Sequence, residues 1–154
     1  MERNIDSIDK LNTVIDSVKV KMSAAHKKIR DIDGKIASVN ETIKYLDRTH
    51  GNKKIWDNYI KSGRSSSFYE SHRADLMIYE SAAEFLKRNH VSLDANPDAY
   101  RDQAALLEED RNILYANLQG LQKERKELDM IKQNVDIIMN DTHEKQRAKG
   151  KNRE

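Results

Sequence analysis

Ile8–Leu46, IDKLNTVIDSVKVKMSAAHKKIRDIDGKIASVNETIKYL, is the stretch on which the fold turns. Ile8, Leu11, Ile15, Val18, Met22, Ala25, Ile29, Ile32, Ile36, Val39, Ile43 and Leu46 follow one another at alternating steps of three and four. On an α-helix of ~3.6 residues per turn that spacing lays one unbroken apolar line along one side, the seam of a coiled coil. The positions between are mostly Asp, Lys, Ser, Asn and Arg, as befits a helix wet on its remaining surface. Such a seam is too narrow for a globular core and calls for a partner helix. Gly34 falls on the outer side, where it weakens the helix by about 1 kcal/mol relative to Ala without interrupting the seam.

The partner is legible further on. Asn96, Pro97 and Asp98 announce a helix start: Asn caps, Pro is tolerated at the first helical position, and Asp suits the positive end of the helix dipole. From there Tyr100, Leu107, Leu114, Leu121, Leu128 and Val135 recur every seven residues, with Ala104, Leu118 and Met139 at companion positions. Other companion positions hold Arg111, Arg125 and Lys132, and cations in a seam cost stability but can fix register or partner choice. The expected fold is therefore all-α, a long antiparallel helical hairpin (coiled coil) with a small helical insert at its tip. Pairing in cis is favoured over two chains zipped in trans, because the insert returns the chain on itself and lowers the entropic cost of closure.

Four segments follow: a first coiled-coil helix over 1–50, a two-helix tip insert over 51–96, a second coiled-coil helix over 97–141, and a disordered basic tail over 142–154. Thr49, His50 and Gly51 supply the expected stop of the first helix, with Gly51 suited to a left-handed residue. In the insert, Ile55, Trp56, Tyr59 and Ile60 make the apolar side of a short helix closed by Ser62 and Gly63. Ser67 with Glu70 reads as a capping box opening another helix that Arg88, Asn89 and His90 end, and Val91 and Leu93 are expected to tuck back against the tip. The tail from Thr142 loses the apolar pattern and carries Lys145, Arg147, Lys149, Lys151 and Arg153 against two Glu.

Composition agrees with elongated helices. Of 154 residues, 37% are hydrophobic and 35% charged, with five Gly, one Pro and no Cys. Without Cys, disulfides and thiolate chemistry are excluded, in keeping with a reducing compartment. No stretch is apolar for the ~18 residues a membrane span needs, and Met1 is followed by Glu2, Arg3 and Asn4 without a signal-peptide core. A cytoplasmic protein without membrane insertion is the expectation.

Net charge is only +2, so its distribution matters more than its sum. Between Arg48 and Arg64 lie five cations and one anion, Asp57. Lys53, Lys54, Lys61 and Arg64, beside Trp56 and Tyr59, form a candidate contact for DNA or a partner, extended by His72 and Arg73. Aromatic faces next to cations suit single-stranded nucleic acid, whereas a Trp that anchors the tip needs no further role. The five histidines stand too far apart in sequence for a metal motif, and no phosphate-cradling glycine loop or nucleophile elbow is present. Tyr59, Tyr69 and Tyr79 read as core and interface aromatics. No enzymatic activity and no cofactor is expected. The heptad leucines of the second long helix do not make a leucine-zipper transcription factor, because the basic residues follow the zipper instead of preceding it.

The run WDNYIKSGRSSSFYESHRADLMIYESAAEFL, preceded by IKYLDRTHGNKKI, resembles the C-terminal helical region of relaxases, the mobilisation nucleases of conjugative and integrative elements in Gram-positive bacteria. Tyr59, Lys61, Ser62 and Gly63 carry the likeness, then Phe68, Tyr69, Glu70, His72 and Arg73, with Tyr79, Ala82, Ala83 and Phe85 behind them. In that family an N-terminal domain nicks DNA with a tyrosine and a metal held by a histidine cluster; this sequence has no counterpart of it. The resemblance implies a non-catalytic module that binds DNA near the nick or docks onto other components of the conjugative transfer machinery. Pairing of the long helices in trans is the form a homodimer would take. The other reading is a self-contained coiled-coil interaction scaffold unrelated to DNA.

Overall fold

A computed structural model of the chain describes residues 2–151, and the side chains of 7–150. Among these residues there are four helices and no strand: α1 Glu2–Lys61, α2 Ser66–Ser71, α3 Arg73–Arg88 and α4 Pro97–Lys151. The fold is all-α, a long antiparallel helical hairpin in which α1 and α4 are the arms and α2 and α3 the insert. No described helix is long and apolar enough to cross a membrane. The chain divides into two compact units, one of residues up to Arg30 with those from Asn112 onward, the other Asp31–Arg111.

In the first unit the two seams meet. Ala25 and Ile29 of α1 bury themselves with Leu118 of α4, and Met22, Leu114 and Leu121 pack around them. Ile15 and Val18 continue the buried line. Each such side chain contributes about 1.5–3 kcal/mol by leaving water.

In the second unit Ile36, Val39 and Leu46 of α1 are buried, as is Ala104 of α4. Arg111, a cation in the seam of α4, reaches Asp33 of α1 at 3.1 Å, and Arg101 meets Asp47 at 2.6 Å as well as its own helix's Asp98 at 2.8 Å. The hydrogen bonds to Asp47 and Asp98 raise the already high pKa of Arg101. Both cross-helix pairs are half-exposed, so they set register more than they add stability. At its start α4 is capped as expected, with the Asp98 amide donating to Asn96 Oδ1 at 3.0 Å.

Three expected boundaries are corrected. The first helix does not stop at Thr49–Gly51; α1 runs on to Lys61, absorbing the segment expected as a separate short helix. A second line explains it: Thr42, Tyr45, Thr49, Asn52, Trp56 and Tyr59 again step by three and four, and all are buried or half-buried. This stripe faces α3 and carries the helix through Gly51, whose missing Cβ would meet only open space. The true stop is at Gly63. Gly63 takes φ +73° and Arg64 φ +58°, while the Gly63 and Arg64 amides donate back to the Ile60 and Tyr59 carbonyls.

Second, the capping side chain is Ser65, not Ser67. Ser65 Oγ accepts from the Phe68 amide, and the short α2 gives way to α3 at His72, so the single helix expected from Ser67 is two helices, the second ending at Arg88 with Asn89 as its cap. Third, α4 continues to Lys151, so the segment expected to be a disordered tail is helical and exposed as far as it is described. Residues 152–154 lie outside the described residues.

Candidate interface at the aromatic tip

The second stripe of α1 meets the insert ring by ring. Tyr45 stacks on Phe85 with centroids 4.0 Å apart, and Trp56 on Tyr79 at 4.7 Å with planes 18° apart. Tyr59 touches Trp56, Phe68 and Tyr69 at 5.5, 6.2 and 5.6 Å, and Phe68 in turn carries the His72 ring at 4.5 Å. As numbers rise along α1 they fall along the insert, so α3 runs antiparallel to α1. Beneath the rings Leu46, Leu76, Ala82 and Leu86 are wholly buried. The loop after α3 closes the unit: His50 Nε2 hydrogen-bonds the Leu93 carbonyl at 3.0 Å, and Val91 and Leu93 are half-buried as expected.

This arrangement sorts the candidate residues into two groups. Trp56, Tyr59 and His72 are half-buried and engaged with other rings. Lys53, Lys54, Lys61, Arg64 and Arg73 are exposed, and none of them forms an ion pair among the described residues. At about 100° per residue, Lys54 and Lys61 share one side of α1, roughly opposite Trp56. Lys54 and Lys61 therefore do not share a surface with the tryptophan, whereas Lys53, three residues before Trp56, is its neighbour on the helix. Trp56 instead walls a groove of about 280 Å³ with Tyr79, Ala83 and Leu93, rimmed by Glu80, Glu84 and Lys87. Two carboxylates on that rim disfavour a phosphate backbone there.

Two phenols at the tip are held in their protonated form. Burial pushes the pKa of Tyr79 up, helped by the carboxylates of Asp57 and Asp94. Burial likewise raises Tyr69, the Glu80 carboxylate adds to this, and Arg73 opposes it. No group of three His, Asp or Glu side chains is placed to hold a metal ion among the described residues.

Comparison with known protein families, with characterised proteins and with solved structures yields no match to the chain.

What sequence reasoning missed is the Tyr45–Phe85 stack, over which Lys44 and Arg48 place cations at 5.6 and 5.3 Å from the Tyr45 ring. Its signal was present as the second stripe, hidden because Thr49 and Asn52 are polar members of it. Arg64 gains a distinction too. A non-glycine residue in the left-handed region bears roughly 1–2 kcal/mol of backbone strain, so its side chain is held beyond the end of α1 at a cost in stability.

Proposed function

We propose that the chain is a non-catalytic helical module of a relaxase-type DNA mobilisation protein, assisting conjugative DNA processing by docking DNA at the C-terminal end of α1. The observation that supports this reading best is the set of exposed cations without ion pairs, Lys53, Lys54, Lys61 and Arg64, opposed there by the single carboxylate of Asp57. Ring packing on the opposite side of α1 gives Lys54 and Lys61 a fixed base, with Lys53 beside the rings and Arg64 just past the helix end. Phosphate contacts release counterions, which makes such binding fall steeply with salt.

The test is fluorescence anisotropy of labelled single-stranded and duplex oligonucleotides across a salt titration. Replacing all four cations by Gln is expected to weaken binding and to flatten the dependence of log K on log salt by roughly 3 units of slope. An unchanged titration removes DNA from the reading. Arg64→Gly adds a sharper arm: it relieves the strained backbone and stabilises the fold by about 1 kcal/mol, yet should weaken DNA binding. Stability and affinity then move in opposite directions, which no general loss of structure produces.

A second reading, a protein-interaction scaffold, is favoured by the Trp56 groove, whose apolar floor and mixed-charge rim suit a partner helix. Pull-down in the presence of nuclease separates the two, because only protein docking survives it.

A further inference from the structure

The outer face of α4 in the first unit carries more exposed apolar surface than a solvated helix needs. Met130 is 58% exposed and Ile137 53%, with Ile131 and Ile138 beside them at 49% and 64%. Ile131 and Ile138 also wall an apolar groove of about 350 Å³ with Ile8, Leu11, Val135 and Met139. Monomeric proteins rarely leave such a patch uncovered, which raises the question of what covers it.

The charges around it supply the answer. Along this face lie Lys123, Lys126, Met130, the pair Gln133 and Asn134, Ile137, Asp141 and Glu144, all exposed and none in an ion pair. Taken from either end, the face has the same spacing with opposite sign: two residues three apart, an apolar side chain four further on, then the central amides. Two cations stand at one end and two anions at the other. If a second α4 is laid antiparallel over the first with the two-fold axis between Gln133 and Asn134, Met130 meets Ile137 of the other copy. In the same register Lys126 meets Asp141 and Lys123 meets Glu144, and each pair occurs twice. The amides of Gln133 and Asn134 meet at the axis, where they can hydrogen-bond. No like charges oppose one another on this line.

We propose that this face is an isologous interface through which two copies of the chain pair antiparallel along α4. Such an interface is self-complementary by symmetry, and the observed sequence of lysines, apolar residues and acids meets that requirement. Its size is adequate: eight facing side chains at ~100 Å² each give ~800 Å² per copy, typical of a stable interface. Opposite charges flanking an apolar line are the device by which coiled-coil helices choose orientation.

Sedimentation equilibrium on the full chain tests it. The wild-type chain is expected to be a dimer at about 100 µM, with dissociation rising as salt screens the lysine–acid pairs. Two surface variants then test the register. Lys123→Glu with Lys126→Glu makes the face wholly acidic, and Asp141→Lys with Glu144→Lys makes it wholly basic, so each alone should be monomeric while keeping its helical circular dichroism. Mixed in equal amounts they should form a one-to-one heterodimer. A wild-type monomer at about 100 µM overturns the proposal. So does a dimer that persists in both charge variants, or a mixture that remains monomeric.

Discussion

Leu118 and Leu76 are both buried leucines, yet they sit in different kinds of core. Leu118 lies in a two-helix seam, where Ala25 and Ile29 cover one side and the remaining surface of each helix is wet. Leu76 lies in the tip, where α1, α3 and the loop beyond it close around the interior and Leu46, Leu76 and Leu86 are wholly out of contact with water. A seam distributes its stability thinly along its length. A tip concentrates it in a few residues, and a surface presented there is correspondingly well fixed. A seam covers only one side of each helix, and in the first unit Met130 and Ile137 of α4 are exposed.

The largest expected effect breaks the comparison if it fails. Leu76→Ala removes a wholly buried side chain from an enclosed site and should cost about 2–5 kcal/mol in urea unfolding followed by circular dichroism. Val135→Ala, at a half-buried position along the groove of the first unit, should cost roughly 1 kcal/mol, because the side chain it shortens already meets water. Equal losses at the two positions would mean that the tip is no better enclosed than the seam.

Two glycines sharpen the comparison at the boundary of α1, and they do so by sign. Gly51 stands mid-helix with open space where a side chain would go, so Gly51→Ala should stabilise by about 1 kcal/mol. Gly63 stands at φ +73°, so Gly63→Ala should destabilise by roughly 1–2 kcal/mol despite equal space around it. Thermal unfolding of both variants reads the two signs directly. A loss at Gly51 would restore the stop expected at Thr49–Gly51 and separate the tip helix from the seam helix.

That boundary also measures what the sequence could reveal. The seam of α1 and the start of α4 were legible because each is fixed by local chemistry: an aliphatic residue at every third or fourth step, and Asn96, Pro97 and Asp98 in capping order. The continuation through Gly51 was not, because its stripe mixes Thr49 and Asn52 with rings, and polar members become recognisable only once α3 lies against them. The choice among Ser65, Ser66 and Ser67 as cap depends on the left-handed turn at Gly63 and Arg64, which three equivalent hydroxyls do not disclose. Past Asp141 the apolar pattern fades, but Glu144 to Lys149 are strong helix formers and the helix outlasts its seam. At the candidate interface the cations were legible as exposed. That Trp56 points away from Lys54 and Lys61 was not, since it follows from which side of α1 receives α3.

The smallest expected effect concerns protons at the tip. Tyr79 ionises less readily in the folded chain than at the ordinary value of 10.0, because burial against Trp56 and the nearby Asp57 and Asp94 carboxylates disfavour a further negative charge. A group whose pKa is raised by folding contributes its full stabilisation below the unfolded value and loses it as pH climbs toward and through the folded value. The tip should therefore hold constant stability through neutral pH and weaken above about pH 10. Tyr79→Phe keeps the ring on Trp56 and removes the ionisable group, so its melting temperature should fall less between pH 9 and pH 11 than that of the wild-type chain. Far-ultraviolet circular dichroism melts report the whole chain, whereas Trp56 fluorescence reports the tip alone, the sequence having no other tryptophan. The alkaline shift and its relief by Phe should be larger in the fluorescence signal. If both signals shift equally, the raised phenol is not coupled specifically to the packing of the tip.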